Sequence, residues 1–548
     1  MRKCIFVFGW LSITTVNLLS QQYQKFYELL VPSLSIIAIN HADLDNDGFK
    51  EIIVSGLEDG ESLSVVLKYN GNTFERLDNV FPNAPIGEAV FVHIDGDNLI
   101  DVVFTQETDI GNNAAVYLNQ GGLVFSRING LEENVVLRGV NAVDIENDGV
   151  IELIDRGGTL YTLVQANDVK RYMPTSDIAT DIHLYEQSNW VEADLNADGF
   201  KDLVLFRPSG KEFNTVFINK SGSLEPNNFQ NEIVSGMHFN TADIDADGLP
   251  EIVYVDYIDN KATLNFLKWM GGEISQLVDM QITLVNVPNE LKIEDYDLDG
   301  DLDILLLNLF ENEQLINKVL INNNGVFDES TTLFIDNSVA KTDWLDFDND
   351  GDLDVVFFTY PSVENTGIVI SRNQLVEGSS LVNQRPTPPV QTTAEVSETG
   401  VKLSWTKASD NESEQAALLY NVVVEQMDGT VVFHSMSSDN DLKTNTRGQT
   451  SSLSLPLTCM PNGQYKWKVQ AVDQTRLVSP FSDFGTFTID RNAPTAPSSP
   501  QVIEASSNSV SIQWLGGQHV TQYRIFRKLS SENAYPLLPL ASVDAETL

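Results

Sequence analysis

The first 373 residues carry short apolar runs of one recurring texture. EIIVSG (51–56), DVVFTQ (101–106), ELIDRG (152–157), DLVLFR (202–207), EIVYVD (251–256), DILLLN (303–308) and DVVFFT (354–359) are β-branched or leucine-rich and too short for helices. A second run follows each one: SVVLKYN (64–70), NAAVYLN (113–119), TLYTLVQ (159–165), NTVFIN (214–219), ATLNFLKW (262–269), NKVLINN (317–323) and GIVISRN (367–373). Hairpin signals such as Asn70-Gly71 and Asn324-Gly325 often close the second run, and a weaker strand around Phe comes next, as in TFERLD (73–78), LVFSRI (123–128) and VFDES (326–330). With the strand that enters each unit, such as SIIAIN (35–40), this makes four strands per repeat. The runs are nearly continuous rather than alternating. That predicts burial on both faces, as in stacked sheets, and argues against a two-layer sandwich for this region.

The polar stretch before each first run repeats more sharply still. Residues 43–51 read DLDNDGFKE, and the pattern D-x-[DEN]-x-D-G-x-x-[DE] returns at 144–152, 194–202, 243–251, 295–303 and 346–354. A damaged copy, HIDGDNLID, lies at 93–101 with His93 in the first position and Asn98 where Gly is expected. The first positions are 43, 93, 144, 194, 243, 295 and 346, giving spacings of 50, 51, 50, 49, 52 and 51. So regular a phase marks a repeat architecture rather than chance acidic turns. The fold class expected is all-β, with a seven-bladed β-propeller over residues 21–384. The seventh repeat lacks a fourth strand of its own, and KFYELLV (25–31) is the spare strand predicted to complete it and close the ring.

Carboxylates at alternate positions repel one another unless a cation lies between them. A tightly curled loop points alternate side chains at one place, and a Gly at the sixth position permits the turn. Oxygens at positions one, three, five, seven and nine make a shell for a hard cation, and its size favours Ca2+ over Mg2+. The first loop offers Asp43, Asp45, Asp47, the carbonyl of Phe49, and Glu51. The third offers Asp144, Glu146, Asp148, Val150 and Glu152, and the fourth Asp194, Asn196, Asp198, Phe200 and Asp202. The fifth offers Asp243, Asp245, Asp247, Leu249 and Glu251, the sixth Asp295, Asp297, Asp299, Asp301 and Asp303, and the seventh Asp346, Asp348, Asp350, Asp352 and Asp354. The second loop retains only Asp95, Asp97 and Asp101. Asn196 brings the fourth loop one charge fewer, which predicts weaker binding there. An EF-hand would need Glu at position twelve, where the first loop has Val54, and helices rather than strands at its flanks.

These loops and their phase resemble the FG-GAP/VCBS repeats of bacterial secreted proteins and, more distantly, of integrin α subunits. The resemblance covers about residues 24–384. It implies Ca2+ held between the first two strands of a blade at six loops, with the second loop departing from the pattern.

The chain has 78 Asp and Glu against 33 Lys and Arg, a formal charge of −45. A nucleic-acid partner is thereby excluded, since phosphate recognition needs a basic face. Residues 1–20 have a basic start and a short apolar run, the pattern of a secretory signal peptide, which places the chain outside the cell or on its surface. No other stretch is long and apolar enough to span a bilayer. Cys4 falls before the apolar run, so only Cys459 remains after cleavage and no intrachain disulfide is expected.

A Pro-bearing linker (377–396) precedes a different texture. VKLSW (401–405), LLYNVVVE (418–425), MPNGQYKWKVQAVD (460–473) and GTFTI (485–489) read as strands of a β-sandwich over 385–491. Trp405 on an early strand and Tyr465 in the later run make this region resemble a fibronectin type III domain, with Met460 where that family usually has Leu. After DRNAPTAPSSP, the segment SVSIQWLGGQHVTQYRIFRK (509–528) repeats the opening half with Trp514 and Tyr523. Residues 492–548 are therefore expected to be a partial second module, or the chain a piece of a longer protein.

The six His residues (41, 93, 183, 238, 434 and 519) are scattered, and no H-E-x-x-H or G-x-S-x-G motif occurs. The favoured reading is an extracellular, non-catalytic Ca2+-binding scaffold for adhesion, acting as a monomer on an unknown protein or glycan. The alternative is a carbohydrate-active enzyme, a polysaccharide lyase or glycosidase, with its site in the propeller funnel.

Overall fold

The computed structural model describes residues 23–30, 34–58, 61–95, 97, 99–105, 114–128, 131, 137, 140–146, 150–155, 158–166, 169–177, 189–196, 198, 200–206, 215–220, 222–227, 239–245, 247, 249–259, 261–270, 273–297, 299–311, 314–323, 325–333, 339–359, 367–373, 383–390, 392–397, 400–411, 418–434, 450, 452–458, 460–490, 497–506, 509–517, 520, 522–528 and 540–544. The expected signal peptide, both cysteines, Asn98, Asp148, Asn324, His183, His238 and His519 lie outside these residues. Strands dominate the described chain, in small antiparallel sheets with almost no helix. It divides into two compact units, Met1–Met460 with Gln464–Phe487, and Pro461–Gly463 with Thr488–Leu548.

The first unit contains seven sheets in which consecutive strands pair in order. The first sheet comprises Leu34–Ala42, Glu51–Glu58, Glu61–Tyr69 and Phe74–Asp78, and the second Ala89–Val92, Asp101–Phe104, Ala115–Asn119 and Phe125–Ile128. The third runs Asn141–Val143, Glu152–Ile154, Thr159–Ala166 and Val169–Asp177, and the fourth Asn189–Ala193, Asp202–Phe206, Thr215–Lys220 and Ser223–Asn227. Phe239–Ala242, Glu251–Ile258, Lys261–Met270 and Glu273–Gln276 make the fifth, and Glu290–Glu294, Asp303–Glu311, Gln314–Asn323 and Val326–Leu333 the sixth. The seventh has Val339–Leu345, Asp354–Thr359 and Gly367–Arg372, and its fourth strand is Gln24–Leu30.

That strand pairs antiparallel with Gly367–Arg372, in register from Gln24 opposite Arg372 to Leu30 opposite Gly367. The spare N-terminal strand thus completes the last sheet, one residue ahead of its expected bounds. The fifth sheet has an additional strand, Ile282–Leu284, which pairs with residues 262–264. Glu273–Gln276 covers only residues 267–270 of the ten-residue Lys261–Met270, and the extra strand covers the edge left open.

Apolar side chains join each sheet to the next. Val66 and Phe81 pack with Phe104 and Tyr117 between the first and second sheets, and Val103 with Leu153 between the second and third. Ile154 and Leu203, then Val204 and Ile252, then Val253 and Ile304, continue the series through the sixth sheet. Leu305 and Val355 join the sixth to the seventh, and Ile52, Leu67, Val356 and Ile370 join the seventh back to the first. The order is cyclic, which explains why the runs are apolar on both faces: each inner strand is sandwiched between neighbouring sheets.

Beyond the seven sheets, Thr392–Val396, Gly400–Trp405 and Ser454–Thr458 form one sheet, and Val431–His434, Leu419–Gln426, Gly463–Val472 and Gly485–Ile489 another. Trp405 is buried against Tyr420 and Trp467, with ring centroids 5.5 and 6.3 Å apart, and Tyr465 stacks on Phe487. The Ala408 N–H donates to Tyr420 Oη at 3.1 Å. In the second unit, Ser498–Ala505 pairs with Val510–Leu515 and Gln522–Ile525 with Ala541–Asp544. There Trp514 meets Tyr523 edge-on at 5.4 Å, and the Gly517 N–H donates to Tyr523 Oη at 2.7 Å.

Candidate metal centres

All seven acidic loops occupy the same corner, between the first and second strands of a sheet. In each one the ninth-position carboxylate is buried and accepts the N–H of position two. Glu51 takes it from Leu44 (2.8 Å), Asp101 from Ile94 (2.7 Å), Glu152 from Ile145 (3.0 Å) and Asp202 from Leu195 (3.0 Å). Glu251 takes it from Ile244 (2.8 Å), Asp303 from Tyr296 (2.8 Å) and Asp354 from Phe347 (3.1 Å). The second loop keeps this clamp although its first ligand is gone, so the ninth-position acid has a structural duty apart from any ion.

Positions one and five tie the loop to itself. Asp43 Oδ1 and Oδ2 accept the N–H groups of Asp47 and Gly48, both at 3.1 Å, and Asp346 does the same for Asp350 and Gly351. Asp194 and Asp243 each accept from the position-five N–H of their loops at 3.1 Å, while Asp295 accepts from Gly300 at 2.8 Å. Position-five carboxylates then hold the position-seven backbone: Asp47 accepts from Phe49, Asp198 from Phe200, Asp247 from Leu249, Asp299 from Asp301 and Asp350 from Asp352. The sixth-position glycines Gly48, Gly300 and Gly351 have φ of 106°, 102° and 100°, a region closed to most side chains.

Three carboxylates offer oxygens within 4.8 Å of one another in four loops: Asp43, Asp45 and Glu51; Asp243, Asp245 and Glu251; Asp295, Asp297 and Asp299; Asp346, Asp348 and Asp354. Among the described residues the other three loops gather no such set. In the third, Asp144, Glu146, Val150 and Glu152 are described and Asp148 is not. In the fourth, the Asp198 N–H donates to Asn196 (2.9 Å). In the second, His93 Nδ1 bonds the carbonyl of Leu99, the seventh-position oxygen, at 3.0 Å, while Asp95 and Asp97 are exposed. His93 thereby takes up the oxygen that an ion would have used.

The sixth loop fits a divalent cation. Asp295 Oδ1 and Asp297 Oδ1 are buried without a hydrogen-bond partner. Burial, reinforced by the neighbouring acids, lifts Asp295 far above the ordinary carboxylate range, Asp297 to about 6 and Asp303 to about 8. Oxygen-only donors, crowded like charge and orphaned buried atoms suit Ca2+.

The first and fifth loops differ. Ile52 pairs with Leu67, which places Lys68 opposite Glu51, and Ile252 pairs with Leu267, which places Lys268 opposite Glu251. Lys68 Nζ lies 2.7 Å from Asp45, 2.6 Å from Asp47 and 3.0 Å from Glu51. Lys268 Nζ lies 2.7 Å from Asp245, 2.9 Å from Asp247 and 2.6 Å from Glu251. Burial depresses both ammonium groups, but their three carboxylates outweigh it and raise them above the usual lysine range. Arg372 holds the same register in the seventh sheet, where it pairs with Asp348 and lies 4.8 Å over the Phe26 ring.

Asn119, Asn219 and Asn322, next along the third strands of the second, fourth and sixth sheets, give their N–H to Asp101, Asp202 and Asp303. Their amides reach back to the second-position carbonyls of Leu44, Ile145 and Ile244 in the preceding repeats, at 2.7, 2.8 and 3.0 Å, and Lys170 bonds Ile94 in the same way.

A separate charged cluster gathers on first strands. His41 Nδ1 lies 2.9 Å from Asp343, and Lys292 lies 3.8 Å from Asp343 and 3.6 Å from Glu290. Burial alone would raise the Asp343 carboxyl, yet His41 and Lys292 hold it well below the usual range. The segment after Gly463–Val472 reaches this side of the sheets: Arg476 pairs with Glu294 at 3.0 Å, the Gln474 amide donates to Asp295 at 2.8 Å, and Lys50 donates to the Thr475 carbonyl at 2.6 Å.

Residues 194–254 match the FG-GAP-like repeat family. That span begins on the first ligand position of the fourth loop and takes in the whole fifth. No curated protein sequence matches the chain. Among solved structures, similarity extends to the extracellular domain of BT4673 from B. thetaiotaomicron, described as a one component system, at 8% identity and a TM-score of 0.39 over 86% of this chain and 59% of that one. A second is the extracellular domain of BT3049 from the same organism, described as a hybrid two component system, at 12% identity and a TM-score of 0.36 over 85% and 57%. The chain spans less than two thirds of either. No helix among the described residues is long and apolar enough to cross a membrane.

Proposed function

We propose that residues 21–384 are a seven-bladed β-propeller of FG-GAP type that binds Ca2+, that fibronectin type III-like modules follow at 385–491 and, in part, at 492–548, and that the whole is an extracellular, non-catalytic binding scaffold. One observation carries this reading: seven four-strand units pack in cyclic order, each with an acidic loop clamped by its ninth residue at the same corner. The repeat-family match over 194–254 falls on two of these loops. Extracellular placement draws support from the leader-like residues 1–20 and from the acidity of the chain. Asp295, Asp297, Asp299 and Asp303 would hold the ion in the sixth loop, where it would cancel like-charge repulsion and fix the corner.

The enzyme alternative has its natural place at the His41–Asp343–Lys292 cluster. There the acids and bases are paired with each other, and Arg476 and Gln474 bind at the same end of the sheets. Both arrangements favour a scaffold. The test is capture of the full chain on glycan arrays and cell surfaces, with Ca2+ and with EDTA. Calcium-dependent capture without turnover is expected; depolymerisation of a bound polysaccharide would replace the scaffold with the enzyme.

A further inference from the structure

We propose that Lys68 and Lys268 are tethered counter-ions that take the cation's place in the first and fifth loops, so that these two corners fold without calcium while the sixth depends on it. The inference rests on the calcium reading of the remaining loops.

The argument is one of shared space. A Ca2+ ion sits roughly 2.3–2.6 Å from its carboxylate oxygens. Each ammonium already lies within 3.0 Å of the carboxylates at positions three, five and nine. An ion bound by the same three groups would fall on the ammonium, so one cation excludes the other. The lysines are also well placed to stay. Both stand on the third strand directly opposite the ninth-position acid, which is itself clamped to the backbone, and the Lys268 side chain is only 7% exposed. At the matching register the sixth sheet has Ile321, because Ile304 pairs with Leu320, and there Asp295 Oδ1 and Asp297 Oδ1 are left without partners. The motif is the same in all three loops, and the residue facing it decides which cation completes it. Leu118 and Ile218 fill the position in the second and fourth sheets, so the substitution is particular to some repeats.

The experiment counts calcium ions bound per full-length chain by isothermal titration, alongside thermal melting in EDTA and in calcium. The Lys68→Met/Lys268→Met variant should bind two more calcium ions than the wild type. In EDTA it should melt about 10 °C lower, because a buried group has lost its counter-charge, and calcium should restore it. Should that variant not fold, paired substitutions in the wild type decide. Asp295→Asn/Asp297→Asn should remove one bound calcium, and Asp245→Asn/Asp247→Asn should remove none. Equal counts for the wild type and the lysine variant, or loss of an ion from the Asp245→Asn/Asp247→Asn protein, would overturn the inference and leave calcium binding intact. No uptake by any of the proteins would overturn the calcium reading itself.

Discussion

The fifth and sixth loops are consecutive repeats that share the Asp and Gly positions of one motif, DIDADGLPE and DYDLDGDLD. Both fold into the same clamped corner, with the ninth acid on the N–H of position two at 2.8 Å. Yet one encloses an ammonium group and the other leaves buried carboxylate oxygens unpartnered. On the calcium reading proposed above, the contrast teaches that a ligand motif specifies a cage, whereas its occupant is also chosen by a residue well outside the motif. Lys268 and Ile321 hold equivalent places on their third strands, and the difference between them is a full unit of charge.

The sharpest way to break this contrast is to move the lysine. Ile321→Lys should carry an ammonium to Asp303 along an aliphatic stem that keeps part of the isoleucine's burial. It should abolish calcium uptake at the sixth loop and stabilise the chain in EDTA by about 2 kcal/mol net, read by chemical denaturation. A protein that still binds calcium there would show that register does not choose the occupant.

Acidity probes the same difference more broadly. In the ion-free chain, burial lifts Asp202 to about 9 and both Glu152 and Asp303 to about 8. A raised carboxyl binds its proton in the folded state at pH values where the unfolded chain has released it. Stability is then greatest near the ordinary carboxylate values and is lost as pH climbs through the raised ones. Melting in EDTA should therefore fall steadily from about pH 5 to pH 9, and saturating calcium should flatten the slope. A flat profile in EDTA would mean that these loops are neutralised by other means. The smallest effect is expected at Gln474→Ala, which removes one donor from Asp295 and should cost about 1 kcal/mol in EDTA. With calcium bound the loss should shrink, since the ion would take over the carboxylate.

Much of this was legible along the chain. The spacing of Asp43, Asp144 and their counterparts marks the corners, the apolar runs mark the second and third strands, and the surplus strand near Tyr27 pairs where the deficit in the seventh repeat asks for it. The lysines were not legible, because a single Lys in SVVLKYN reads as a solvated strand residue until pairing sets it opposite Glu51. Knowing that register, LKY, LKW and SRN at the ends of third strands would have been the signal. The asparagine latches escaped for a related reason: Asn119 bonds Leu44, and its partner is set by how sheets stack rather than by nearby sequence. His93 was readable as a lost ligand, but its bond to the Leu99 carbonyl follows from loop curvature alone.

The pairing of Gln24–Leu30 with Gly367–Arg372 also fixes an order of events during synthesis. Among the strands of the seven sheets the ribosome makes the closing strand first and its partner last, so the early segment must wait, unpaired, until the array has emerged. Nascent chains halted short of residue 367 should expose an open sheet edge, a site for misassociation until the last partner strand is made.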